Sequence, residues 1–343
     1  HVLDRPIVYP PLYYWTYAWT RGLTHIEAYS IFVAGITLAM IMSLAITLKL
    51  VKQFEQDDYS PKTRNLLILF WVLLLFTLPF FASIERGNTD PFVVLLWMLG
   101  TYCFLQRQFI AWASISGVAM MYKIYPAVPT AVIGIAIIAS YARQESKDYK
   151  TLLQIIGSGF LAMLLVSLMW WQQLVTYATE FFPWYADSDI HIQPFSHTIQ
   201  HLKLIHPYLP AAAMACIFLG WCYFAARYIF RDPLMVFFGC LGISTYFAAV
   251  SYVYNLVTLY PLFCLLLLRS RTWQEVAFLI AGVQVFIGDP EIWDIFAAQE
   301  WRVLANALWL VLLIPLYSTR LAFYRQDKNP GYAFPPLQHA TRQ

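Results

Sequence analysis

The sequence predicts an all-α, polytopic transmembrane helical bundle with about eleven membrane spans. Three observations indicate this class. Charged residues make up only 12% of the 343 residues, the mean hydropathy is +0.58, and long apolar runs recur along the chain. A soluble domain carries about 25% charged residues, so this composition could not cover the surface with polar groups. Most of that surface must therefore face lipid.

Eleven apolar runs are candidates for crossing a hydrocarbon core about 30 Å thick. Several are short for that thickness, and the boundaries after Pro126 and Ser251 are tight. The predicted spans cover residues 29–51, 66–82, 91–106, 109–126, 127–142, 151–171, 208–226, 233–250, 252–268, 273–288 and 303–319.

The positive-inside rule orients these spans. With the end of the first span in the cytoplasm and the spans alternating, the cytoplasmic segments hold 16 of the 22 Lys and Arg residues. This topology places the tail, residues 320–343, in the cytoplasm and the long loop 172–207 outside. We expect a multi-pass protein of the plasma (inner) membrane whose active site faces outward.

The N-terminal region begins outside at His1 in this topology, so we expect one further span and part of the first outer loop to precede it. Residues 1–28 are then the remnant of that loop within a single membrane-embedded domain, residues 1–343. The aromatic stretch after Pro10 and Pro11 is predicted to form an interfacial helix. An aromatic belt with a proline-set entry angle is the alternative.

Net charge, cysteines and histidines narrow the function classes. A net charge of +3 does not indicate nucleic acid as a partner, and all five cysteines lie in apolar segments, as buried hydrophobes without disulfides do. In the loop 172–207, His197 and His201 are four residues apart, and Asp187 and Asp189 form a D-x-D. No carboxylate completes a metal site there. We therefore predict no cofactor and no metal site, with divalent metal binding left as the alternative.

The turn from Glu85 to Asp90 carries more charge than a tight turn requires. The planar guanidinium of Arg86 can donate two parallel hydrogen bonds to a phosphate. Glu85, Asn88 and Asp90 offer hydrogen bonds to sugar hydroxyls, and we predict that they bind substrate. Asp90 also fits an N-cap before Pro91, which is a second interpretation of that residue.

A lone lysine, Lys123, interrupts an apolar run at the outer end of a predicted span. Charges at such positions are costly and usually functional. Together with Arg86 on the preceding outer turn, Lys123 predicts a phosphate pocket, with Tyr122 and Tyr125 as hydrogen-bonding walls. Snorkelling of Lys123 toward headgroups is the alternative.

A further polar cluster, residues 251–255, lies at the outer junction of two predicted spans near the end of the chain. Polar groups that faced lipid there would be costly, so Tyr252 and Asn255 are predicted to face a cavity and bind substrate. Hydrogen bonding between helices is the alternative.

With these residues in view, the chain resembles polytopic glycosyltransferases of the type C fold. In particular it is similar to glycosyltransferase family 87, the polyprenyl-phosphate-dependent, mannosyltransferase-like membrane proteins. The matching motifs are Y-P-P-L at residues 9–12, E-R-G-N-x-D at 85–90, K-x-Y-P at 123–126, and S-Y-x-Y-N-L at 251–256 followed by Tyr260-Pro261.

The resemblance implies a hexosyltransferase that moves a mannose-like sugar from a polyprenyl-phosphate donor to a lipid or glycan acceptor outside. Arg86 and Lys123 would bind the donor phosphate, and Tyr9 would join the substrate-binding residues. A catalytic carboxylate is implied in the first outer loop, upstream of Tyr9. Only eight residues precede Tyr9, and Asp4 is their sole carboxylate. The catalytic residue therefore stays unassigned, with Asp4 as the remaining candidate.

Two other classes of function compete with the enzyme. Transporters and lipid flippases place substrate groups near the middle of the membrane on broken helices and commonly contain internal repeats. Here the charges gather at the outer mouth and no repeat relates the two halves, which favours the enzyme. A non-catalytic assembly subunit is the third interpretation. The expected partners are membrane lipid, the sugar donor and a glycolipid or glycan acceptor.

Overall fold

The structure is a computed structural model, and the residues that it describes form helices and no strand. These residues are 19–55, 59–85, 87–123, 125–142, 149–169, 171–176, 178–179, 208–247, 253–270, 272–277 and 279–280. The α-helices are α1 (His25–Phe54), α2 (Pro61–Leu75), α3 (Leu78–Glu85), α4 (Asp90–Leu105), α5 (Phe109–Tyr122), α6 (Ala127–Ala142), α7 (Tyr149–Met169), α8 (Trp171–Thr176), α9 (Leu209–Tyr228), α10 (Pro233–Phe247) and α11 (Tyr260–Arg269). Two 3₁₀ segments cover Trp19–Gly22 and Val253–Leu259.

The chain divides into two compact units whose segments alternate along the sequence. Unit 1 consists of His1–Ser43, Ser83–Ala127 and Tyr149–His191. Unit 2 consists of Leu44–Ala82, Val128–Asp148 and Ile192–Gln343. The single membrane-embedded domain of the sequence analysis stays a prediction.

In unit 1, α5 packs against both α4 and α7. A Cβ added at Gly117 of α5 would lie 2.7 Å from the backbone oxygen of Gly159 on α7, so only a glycine permits this approach. The hydroxyl of Ser158 donates within α7 to the backbone oxygen of Ile155 at 2.8 Å and lies 3.4 Å from the backbone oxygen of Ile110 on α5. Close backbone contact therefore fixes α5 against α7.

In unit 2, α10 packs against α9 and α11, and α11 packs against α2. Tyr260 begins α11 with a fully buried side chain, whose hydroxyl donates to the backbone oxygen of Leu74, 2.8 Å away. The same hydroxyl lies 2.9 Å from the hydroxyl of Thr77. At this break α2 and α3 bend by 51°. Tyr260 thus adds a tertiary hydrogen bond to the end of α2, where the Leu74 oxygen also accepts from the N–H of Thr77 at 3.2 Å.

A buried ion triad also belongs to unit 2. The guanidinium of Arg269 donates to both oxygens of Asp232, at 2.7 and 2.8 Å, and to Glu55 at 2.6 Å. No more than 4% of any of the three side chains is exposed. The triad ties the end of α11 to residues that border α1 and α10.

Three helices within the described residues are long and apolar enough to cross a membrane, or four when the bent pair α2 and α3 counts as one span. The three lie at His25–Phe54, Leu152–Met169 and Ala211–Tyr228, while the other apolar helices have 10–17 residues. At 1.5 Å per residue, the 14 residues of α5 rise only about 21 Å. The count of about eleven spans is therefore not confirmed.

Exposed apolar side chains mark the surfaces that face lipid. Only 6% of the apolar stretch Leu152–Met169 in α7 is buried, and its exposed residues include Phe160, Leu164 and Leu168. An aqueous surface would not tolerate such a helix, so the protein is an integral membrane protein. Helix α6 has the predicted bounds of 127–142. The predicted span 303–319 and the tail 320–343 lie outside the described residues.

The cysteines only partly match the prediction of buried hydrophobes. All five are free, and Cys222, Cys240 and Cys264 are buried. Cys103 is half-buried and Cys216 is exposed. Cys216 lies on α9, a candidate span, where a small apolar side chain is tolerated in contact with lipid.

Candidate functional site

A glycine turn at the end of α3 opens the candidate site. Gly87 has a positive φ of 60°, and its N–H donates to the oxygen of Ile84 at 3.2 Å. The N–H of Asn88 donates to the oxygen of Ser83 at 2.8 Å. These two bonds form a Schellman motif, in which a left-handed glycine closes the helix. The motif fixes Asn88 where the next helix begins.

Helix α4 begins at Asp90, and its N-cap is Thr89. The interpretation of Asp90 itself as the N-cap is therefore wrong, because Asp90 is the first helical residue. The side chain of Asn88 takes over part of the capping, since its Oδ1 accepts from the N–H of Asp90 at 3.2 Å. This arrangement leaves the Asp90 carboxylate for other contacts.

The Asp90 carboxylate joins the start of α4 to the link between α5 and α6. Its Oδ1 accepts a hydrogen bond of 2.6 Å from the hydroxyl of Tyr125, and its Oδ2 lies 4.0 Å from Nζ of Lys123. The side chains of Lys123 and Asp90 are 7% and 0% exposed. Asp90, Lys123 and Tyr125 therefore form a buried cluster, and the structure brings together two motifs that the sequence keeps far apart.

The end of α5 explains the position of Lys123. Lys123 is the C-cap, with extended backbone angles of φ −147° and ψ 144°. Pro126 disfavours a helical conformation for Tyr125, so the K-x-Y-P motif cannot continue α5. Tyr125 lies in a turn before α6, and the side chains of Lys123 and Tyr125 are both buried.

An aromatic wall stands beside this cluster in unit 1. The ring of Tyr122 stacks on Phe92, with centroids 6.3 Å apart, and Phe32 meets Phe92 edge to face, also at 6.3 Å. Tyr122 is half-buried. Its predicted role as a pocket wall fits this packing, while its role in substrate binding stays a prediction.

Several predicted site residues are not part of this cluster. Glu85 is exposed at the end of α3. Asn255 lies in the 3₁₀ segment Val253–Leu259, and its side chain is outside what the structure describes. Also outside the described residues are Asp4, Tyr9, Arg86, Tyr252, the aromatic stretch before Trp19 and the loop residues 180–207.

Metal binding has no support in the part of the chain that the structure describes. No group of three or more His, Cys, Asp or Glu side chains lies together there. The histidines and the D-x-D of the outer loop lie outside that part.

Two features of the site were not predicted from the sequence. The bond between Tyr125 and Asp90 joins residues 35 positions apart, and no spacing rule connects them. Thr89 was the variable position of E-R-G-N-x-D, yet its side chain is fully buried and its hydroxyl has no hydrogen-bond partner in the described part of the chain. Proline is most common at the first helical position, so Pro91 indicates an N-cap at Asp90 and gave no signal for Thr89.

Comparison with known proteins shows the family of the chain. The model of the family described as glycosyltransferase family 87 matches residues 8–251, which include the whole cluster. No curated protein and no solved structure matches the chain.

Proposed function

Because the chain belongs to glycosyltransferase family 87, we propose that this membrane glycosyltransferase takes its sugar from a polyprenyl-phosphate hexose. The sugar is mannose-like, and it passes to a lipid or glycan acceptor at the outer face of the plasma membrane. The observation that carries this proposal is Lys123, a lysine only 7% exposed at the end of an apolar helix.

The electrostatics of Lys123 favour a phosphate ligand. A buried ammonium is costly unless an anion compensates it. Asp90 supplies one negative charge, with 4.0 Å between Nζ and Oδ2. A phosphate oxygen would add a charge-assisted hydrogen bond from the same ammonium.

A lipid-linked donor suits the surroundings of this lysine. The prenyl chain of such a donor is dissolved in the bilayer, so the sugar phosphate reaches the site without crossing open water. Within the same unit, α7 exposes many apolar side chains, and contact between this surface and a prenyl chain would be favourable. A nucleoside-diphosphate sugar would gain nothing from this surface.

The proposed reaction is a displacement at the anomeric carbon. The acceptor hydroxyl attacks that carbon, a new C–O bond forms, and the bond to the phosphate oxygen breaks. The polyprenyl phosphate leaves with the electron pair, and a carboxylate takes the hydroxyl proton as general base. Lys123 stabilises the charge on the departing phosphate, and Arg86 is proposed to assist it.

Asp90 does not suit the role of general base. Its carboxylate is fully buried, and it already accepts a hydrogen bond from Tyr125. A base must reach the proton that it removes, directly or through one water molecule. We therefore keep the base in the first outer loop, in the region that includes Asp4.

Sugar transfer by a lysine variant tests the proposal. The full-length protein is reconstituted in lipid nanodiscs with a radiolabelled polyprenyl-phosphate mannose and membrane acceptor lipids. Replacing Lys123→Met removes the charge but keeps most of the side-chain volume. We expect kcat to fall about a hundredfold, the order of magnitude for loss of one group that stabilises transition-state charge.

The matched control is Lys52→Met, at an exposed lysine in the last turn of α1. We expect transfer by this variant to equal that of the wild type. Thermal melting checks that both variants are folded. If both then transfer sugar as fast as the wild type, Lys123 has no role in the mechanism. Absence of transfer by the wild type from this donor contradicts the proposed donor class.

A further inference from the structure

Thr89 carries a buried hydroxyl that has no hydrogen-bond partner among the residues that the structure describes. The residue is 0% exposed. A buried polar group of this kind destabilises a protein unless something compensates it. Thr89 directly precedes Asp90, whose carboxylate lies 4.0 Å from Nζ of Lys123.

The first turn of α4 explains why the hydroxyl does not act as an ordinary cap. A capping side chain accepts from the N–H of the second or third helical residue. Here the second residue is Pro91, which has no N–H, and the N–H of Phe92 donates to the backbone oxygen of Thr89 at 3.0 Å. The N–H of Asp90 already donates to Asn88. The hydroxyl of Thr89 is therefore not used within this turn.

We propose that the hydroxyl of Thr89 donates a hydrogen bond to a phosphate oxygen of the polyprenyl-phosphate donor bound by Lys123. This inference rests on the proposed function and adds a second, uncharged ligand to the same phosphate. The Asn88-Thr89-Asp90 turn then has two tasks. Asp90 holds Lys123 and Tyr125, and Thr89 contacts the ligand.

The alternative to a phosphate contact is that the Thr89 hydroxyl is a buried group without a role in ligand binding. The two accounts differ in ligand affinity. Replacing Thr89→Val keeps the shape of the side chain and removes only the hydrogen-bonding group. Under either account the protein without ligand is as stable as the wild type or more stable, so loss of folding does not obscure the result.

Binding of polyprenyl phosphate itself, without the sugar, is the direct test. The full-length wild type, Thr89→Val and Thr130→Val are reconstituted in phosphatidylcholine nanodiscs, and the Kd for polyprenyl phosphate is measured by titration. Thr130 on α6 is the matched control, because its buried hydroxyl also has no hydrogen-bond partner within the described ranges. We expect Thr89→Val to raise Kd about tenfold, as loss of a hydrogen bond to a charged group does. Thr130→Val should leave Kd unchanged.

Competition with inorganic phosphate identifies the source of the ligand. Because the prenyl chain contributes to binding, we expect inorganic phosphate at millimolar concentration to displace little of the lipid. Full displacement would show a site for free phosphate and contradict the lipid ligand.

The outcomes separate this inference from the proposed function. An equal Kd for all three proteins overturns the role of Thr89, while sugar transfer by the wild type would leave the proposed function standing. Failure of the wild type both to bind polyprenyl phosphate and to transfer from its mannose ester overturns both. An equal rise of Kd in both variants indicates a general effect of lost hydroxyls and also overturns the inference.

Discussion

At the scale of single residues, the Asp90 carboxylate organises the site. Its two oxygens face different partners, the hydroxyl of Tyr125 and the ammonium of Lys123. A fully buried carboxylate needs such partners, because its charge is otherwise costly in a low-dielectric surrounding. The substrate role predicted for Asp90 stays untested, whereas its contacts favour a positioning role.

Removing the phenol of Tyr125 tests how strongly the carboxylate depends on it. We expect Tyr125→Phe to lower the free energy of unfolding by about 1–3 kcal/mol, because a buried carboxylate loses a donor. Thermal melting in detergent measures this change. The control is Tyr122→Phe, which keeps the ring stacked on Phe92 and should change stability by less than about 0.5 kcal/mol. Equal melting of the two variants would contradict the importance of the Tyr125 bond.

At the scale of helices and turns, caps place the site residues. The Schellman motif at Gly87 sets Asn88 and Thr89, and the proline of K-x-Y-P ends the helix before Tyr125. The sequence showed both breaks, since glycine and proline are strong local signals. It could not show that Asp90 and Tyr125 meet, or that Arg269 pairs with Glu55, 214 positions away. Such pairs follow from packing, which local patterns do not encode.

Gly87 provides a prediction about the turn. A side chain at its φ of 60° is strained, so we expect Gly87→Ala to destabilise the protein by about 1–2 kcal/mol. Gly134 in α6 is the matched glycine, because an added Cβ there meets nothing within 4 Å. Gly134→Ala should stabilise the protein by about 0.5–1 kcal/mol. A Gly87→Ala protein as stable as the wild type in chemical denaturation would show that the turn does not require a left-handed glycine.

The ion triad of unit 2 provides a second prediction at this scale. Replacing Arg269→Met leaves two buried carboxylates without their cation, which should cost about 3–5 kcal/mol of stability. Arg227→Met, at an exposed arginine in the last turn of α9, should cost less than about 0.5 kcal/mol. Thermal melting of the two variants side by side measures the difference. A melt of Arg269→Met equal to that of Arg227→Met would contradict a stabilising role of the triad.

At the scale of the whole molecule, composition predicted the class well and the number of spans less well. The all-helical character and the lipid-facing surface follow from a chain with 12% charged residues. Composition does not determine helix length, because caps and bends cut apolar runs into shorter helices. One example is α2 and α3, which the sequence analysis took as the single predicted span 66–82 and which bend by 51° at their junction.

The polyprenyl-phosphate donor is the central proposal for the whole molecule, and sugar transfer by the wild-type protein tests it most directly. Reconstituted full-length protein is given radiolabelled mannose either on polyprenyl phosphate or on a nucleoside diphosphate, with the same acceptor lipids. We predict transfer of label from the polyprenyl phosphate alone. Transfer from the nucleoside diphosphate in the absence of polyprenyl phosphate would contradict the proposed donor and the phosphate site at Lys123.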